Sequence, residues 1–205
     1  DLIAGLPYEG YETFARSFDE IYALKPNQLQ LGFLKVLKGS YMYEHASEYG
    51  LIYRTKPPYE VLASKWVSYD EMLEIRLVEE MLELHYNSGQ FLTYLAVLEQ
   101  RYASAFQMFL DMGHFYRSNG YLDCSHNRVR RTEIVLEFAE SVDAGHRAAY
   151  EEALIFDLYK IEKSKSRPIW ARDLALEKKK TSAYLRAHGP VSYTHLRAHE
   201  TCADL

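Results

Sequence analysis

The 205-residue chain is predicted to be mixed α/β at its front and all-α thereafter. Three observations predict this. The first forty residues place two short apolar runs either side of one amphipathic stretch. After Ser68, apolar residues recur at helical spacing only. Between these regions fall the chain breakers Gly39, Gly50, Pro57 and Pro58.

Taken in order, "DLIAGL" (1–6) reads as a buried strand bounded by Pro7 and Gly10. Tyr11 to Leu24 reads as a helix, with Phe14, Phe18, Ile21 and Tyr22 on one face. "KPNQ" ends it, and "LQLGFLKVL" is a second strand. Strand, helix and strand with short connections make a βαβ unit, whose strands run parallel. Two parallel strands cannot bury both faces alone, so further strands are expected outside this segment. The chain by itself is therefore expected to be poorly soluble, through open edges and apolar faces. "SYMYEHASEYG" suits a short helix, and "LIYRTKPPYEVLAS" is extended.

Ser68 with Glu71 forms a capping box ahead of a long, mostly apolar helix that "NSG" terminates at Gly89. One helix is then expected from Gln90 onward, aligning Phe91, Leu95, Leu98, Tyr102, Phe106 and Phe109 as a core stripe. "RSNGYLDCSHN" is a loop, and helices follow over Thr132–Val142 and His146–Lys163, then a charged, frayed one. The resulting divisions are 1–39, a connector over 40–66, a helical domain over 67–189 and a tail over 190–205.

A net charge of −5 and pI of 5.9 give no reason to expect nucleic acid. No stretch is apolar enough to span a membrane, and two cysteines cannot build a disulfide framework, so a cytoplasmic setting is expected. The 18 Tyr and 9 Phe favour aromatic cores or aromatic-lined pockets.

The tail offers the most conspicuous chemistry. His195, His199 and Cys202, with His188 upstream, have zinc-ligand spacing on a helix. Yet "VSYTHLRAHET" (191–201) reads codon by codon as a translated transposase sequencing adapter, and the abrupt apolar start at Asp1 fits the same origin. Residues 191–205 are therefore set aside and no metal site is expected. "DCSHN", with Asp111 and His114 upstream, holds one Cys without paired spacing, which favours a polar connection with a buried thiol. Asp157 lies on an apolar helix face and needs a partner; an ion pair with Arg128, Arg130 or Arg131 is favoured over an acid/base role. "RVRR" and "EKKK" read as solvated charge. His85 and Tyr86 could line a cavity, although the helix dipole accounts for His85 equally well.

"DLIAGLPYE", one helix and "LQLGFLKVLKGS" together resemble the late strands of the radical S-adenosylmethionine (SAM) barrel, whose pattern is D-L-I-x-G-L-P-G-E. With "PPYEVL" and "YNSGQF" in the same order, the chain resembles the end of cobalamin-binding radical SAM proteins, which carry an uncharacterised helical C-terminal domain. The resemblance implies the last β-α-β part of a partial β/α barrel followed by that domain. Gly5, Leu6, Pro7, Glu9, Leu34 and Lys35 would then face a SAM and substrate cavity at the carboxyl ends of the strands. The pattern has Gly where this sequence has Tyr8.

The implied reaction is reductive SAM cleavage by a 4Fe–4S cluster, with cobalamin as an optional methyl carrier. The cluster-binding C-x-x-x-C-x-x-C and the cobalamin domain are not in this sequence, so the chain alone is expected to be inactive and to bind no cofactor completely. Its partners would be the missing barrel and cobalamin domain of the same polypeptide and an unidentified substrate, with the helices capping the substrate site. The alternatives are a non-catalytic helical module that docks a protein or peptide, and a helical metal protein built on Cys124 and the tail.

Overall fold

The computed structural model describes residues 1–161, 168–171 and 179–180. The tail histidines, Cys202, the adapter-like stretch and most of the last charged helix lie outside the described residues. The described part is mainly helical with a few short strands, in two compact units, residues 1–125 and the residues from His126 onward. The divisions suggested by sequence at 39/40 and 66/67 both fall inside the first unit.

In the first unit, β1 (Leu2–Ala4), α1 (Tyr11–Ala23) and β2 (Leu31–Phe33) form the expected β-α-β element. The strands are parallel, with Leu2, Ile3 and Ala4 opposite Leu31, Gly32 and Phe33. The edge of β2 does not end with β1. The Leu34 N–H donates to the Ala4 carbonyl, while its own carbonyl accepts from Val61 N–H. β4 (Val61–Ala63), which pairs antiparallel with β3 (Ile52–Tyr53), therefore continues along the edge that β1 leaves. The connector was expected only to be extended; it is a small hairpin because the Tyr59–Val61 backbone finds its partners on residues 34–36. Between β2 and β3 stands the one-turn α2 (Tyr41–Glu44), capped by Ser40.

α3 (Tyr69–Met81) begins at the expected capping box: Ser68 Oγ accepts from Glu71 N–H at 3.3 Å, and the Glu71 carboxylate accepts from Ser68 N–H at 2.7 Å. It then runs into a turn of π-helix, Leu82–Asn87. The extra residue in that turn brings two polar groups onto the α1–β2 loop. Tyr86 donates its hydroxyl to the Pro26 carbonyl. Asn87 both accepts from Leu29 N–H and donates to the Leu29 carbonyl, each at 3.0 Å, standing in for a paired strand.

The single helix expected from Gln90 is two. α4 (Leu92–Leu98) passes through a 3-10 turn into extended Tyr102, and α5 (Ala105–Ser118) starts afresh. Ser104, which falls inside the span of the single expected helix, is the N-cap of α5, accepting from Gln107 N–H at 3.1 Å. Asp19 of α1 accepts from Phe106 N–H at 2.8 Å. Two of the four orphan donors at the start of α5 are thus satisfied, which makes the break affordable in free energy. The core of the unit is aromatic: Phe106 meets Tyr11, Phe14 and Phe18, and Phe109 meets Phe18 and Tyr22, edge to face in each case.

The second unit contains α6 (Arg128–Asp143), capped by Asn127, and α7 (Arg147–Ile161), joined by a 3-10 turn. Ile134, Val135, Phe138, Tyr150, Leu154 and Leu158 are buried there. Asp143 holds the corner, accepting from Tyr150 Oη at 3.0 Å and contacting His146 Nδ1 at 2.8 Å. Arg130 pairs with Glu133 and Glu137 of its own helix at 2.9 and 3.0 Å. Asp157 is buried, as its place on an apolar face suggested.

Candidate functional site

The residues singled out at the strand ends occupy two adjoining segments. Gly5, Leu6, Pro7 and Glu9 form the turn between β1 and α1, and Leu34 lies beside Ala4 through its backbone hydrogen bond. Lys35 is exposed and bridges Glu60 through the backbone. Gly5 adopts φ +86°, a left-handed conformation that favours glycine. The close approach it permits is made by protein: a Cβ there would lie 3.2 Å from Met72 Cε and 3.3 Å from Val61 Cγ1. Glu9 is half-buried. Burial raises its carboxyl above the usual range, opposed by a hydrogen bond from Ser17.

Sequence reasoning missed the side chains that dominate this end of the unit. Tyr8 follows the Gly-Leu-Pro turn with φ +68°, a conformation bulky L residues rarely adopt. The residue is 74% exposed, and its ring leans on Trp66 (centroids 4.7 Å) and Tyr49 (6.0 Å). Tyr49 also meets Trp66 at 6.1 Å. Tyr41 stacks on His45 at 3.9 Å, and its hydroxyl lies 3.1 Å from that of Tyr49. Three elements converge here: the β1–α1 turn, the segment after β2, and the 64–67 loop. Ser64 Oγ holds that loop by accepting from Trp66 and Val67 N–H, each at 3.2 Å. Two signals were present in the sequence. Tyr8 stands where the D-L-I-x-G-L-P-G-E pattern that this stretch resembles has Gly, and Tyr41, His45 and Tyr49 recur every four residues.

The electrostatics of the cluster suit a neutral, hydrogen-bonding aromatic surface. The hydrogen bond with Tyr41, then burial, push the Tyr49 phenol up to about 12. A phenol whose folded pKa is raised stabilises the fold fully below its ordinary value, and that contribution disappears as pH climbs through the folded one. Tyr41→Phe is therefore expected to return Tyr49 ionisation towards 10. The ring-carbon NMR titration of Tyr49 measures this directly; an unmoved midpoint would show that the Tyr41 hydroxyl is not the cause.

The other candidates remain separate. His85 is fully buried in the π-turn, edge-on to Phe91 and Tyr116 at 5.2 and 5.3 Å, so it belongs to the core rather than to an exposed helix end. Cys124 is exposed, not the buried thiol expected of the "DCSHN" loop, because that loop leaves the packed surface. Among the described residues no three His, Cys, Asp or Glu side chains group to hold a metal ion. Among them, too, no helix is long and apolar enough to cross a membrane.

A family model described as a protein of unknown function (DUF4080) matches residues 47–200. That range spans parts of both units and most of the adapter-like stretch. No curated protein matches the chain.

Proposed function

The chain belongs to this family of uncharacterised proteins, DUF4080, and from that premise we propose that it is the closing part of a cytoplasmic radical SAM enzyme. In this reading β1, α1 and β2 complete a β/α barrel, and the following helices wall its substrate cavity. One observation carries the reading. Tyr8 holds the left-handed conformation at the position where the D-L-I-x-G-L-P-G-E pattern has Gly, directly after a strand paired in parallel with the next. A glycine at this position, as in the pattern, would hold such a conformation without strain.

The residues present do not fit an iron–sulfur cluster. The chain has two cysteines, too few for the three that a cluster needs, and the described one, Cys124, is exposed. No step of SAM cleavage is therefore assigned to it. The chemistry of cluster and cobalamin belongs to segments of the same polypeptide upstream. The role left to this chain is shape: Gly5 to Glu9 with Leu34 and Lys35 border the cavity, and the Tyr8–Trp66 surface screens it from water.

Sequencing the coding DNA contiguous with this segment tests the proposal. An in-frame C-x-x-x-C-x-x-C motif upstream is expected. The protein expressed from the whole frame should take up a 4Fe–4S cluster under anaerobic reconstitution, which this chain alone should not. A complete upstream frame lacking the motif would favour the helical interaction module instead.

A further inference from the structure

A recess distinct from the strand ends opens where the last turn of α1 meets the π-turn and α4. It encloses 260 Å³. Tyr22 and Tyr86, ring centroids 5.1 Å apart, form one wall, and Leu92 and Leu95 of α4 the other. Glu99 stands at the rim. Its carboxylate pairs with the Lys25 ammonium. That ammonium also lies 4.0 Å from the centroid of the Tyr22 ring.

A carboxylate beside an aromatic face is a receptor for an organic cation. Here the receptor is filled from within. Lys25 closes the C-terminus of α1, with φ +49° and its N–H donating to the Tyr22 carbonyl at 2.9 Å, which sets its side chain beside the cleft. The Lys25 side chain is 49% exposed, so it can swing into water without disturbing the core. The cation among the lining residues, Lys25, is already paired with Glu99. Tyr86 already donates its hydroxyl to Pro26, and burial together with the charge of Glu99 keeps both phenols protonated.

We propose that this cleft binds a protonated primary amine with a short alkyl chain, and that Lys25 is a built-in competitor for the same seat. The guest ammonium takes the place of Lys25 Nζ between Glu99 and the Tyr22 ring, and its methylenes lie along Leu92 and Leu95. Because the competent form requires Lys25 to leave, the resident side chain lowers the apparent affinity by the fraction of time it is bound. The proposal stands independently of the barrel reading.

The test is a titration of the protein with n-butylammonium, followed by NMR at Tyr22 and Leu95. Lys25→Met keeps the apolar stem and vacates the seat. It is expected to give saturable shifts about tenfold tighter than the parent protein, and n-butanol is expected to bind it about tenfold more weakly. Adding Glu99→Gln should abolish the preference for the ammonium. The proposal fails if parent and Lys25→Met respond alike, if n-butanol matches n-butylammonium, or if the shifts map away from the cleft. Should Lys25→Met not fold, the preference for ammonium over alcohol on the unmodified protein decides the question.

Discussion

Gly113→Ala is expected to destabilise the first unit by about 1–3 kcal/mol, although alanine is the better helix former. Propensity alone would favour the substitution by about 1 kcal/mol in a helix interior. Packing reverses the sign. Gly113 is buried on α5 where it meets α3, and a Cβ added there would lie 2.3 Å from Leu77 Cγ and 2.8 and 3.0 Å from its two methyl carbons. The obstacle is the branch point of a side chain only 2% exposed, so it cannot turn aside into solvent. The two helices must separate or Leu77 must leave its rotamer. Urea midpoints of parent and variant measure the cost. In a Leu77→Ala background the same substitution should become neutral or stabilising, because the colliding group is gone. An equal penalty in both backgrounds would show that the contact is not responsible.

Phe106→Ala is expected to cost more, about 3–5 kcal/mol, the range for emptying a large aromatic site. Phe106 is 2% exposed and meets Tyr11, Phe14 and Phe18 at ring separations of 5.4, 6.3 and 5.7 Å. Its own N–H is held by Asp19, so side chain and backbone fix α1 to α5 at the same residue. Truncation leaves a cavity under α1 and forfeits edge-to-face contacts that area burial alone does not count. Phe106→Leu should recover part of the loss. A midpoint shift equivalent to less than about 1 kcal/mol for the alanine variant would mean that α1 is anchored elsewhere.

The legibility of the fold follows the range of the interactions that decide each element. The capping box at Ser68 and Glu71 is settled within four residues, and it was readable. So was the parallel pairing of β1 with β2, because a short strand-helix-strand connection leaves few other outcomes. The break after Leu98 was not readable. The apolar stripe from Phe91 to Phe109 runs on at helical spacing, while one hydrogen bond that restarts α5 comes from Asp19, 87 residues earlier. The π-turn was hidden for the same reason, since Tyr86 and Asn87 answer to the backbone of Pro26 and Leu29. At the candidate site, Tyr8 was marked by its departure from a pattern. Tyr49 was marked only by its four-residue spacing from Tyr41 and His45, and Trp66 not at all, because only folding brings them to Tyr8.

The long reach between α1 and α5 also bears on how the chain emerges from the ribosome. Phe14, Phe18 and Tyr22 leave the exit tunnel before their cover, Phe106 and Phe109, which follows some ninety residues later. At the usual pace of synthesis that interval is roughly 5–20 s. Through it the nascent segment carries an uncovered aromatic ridge, exposed for longer than any local packing would leave it.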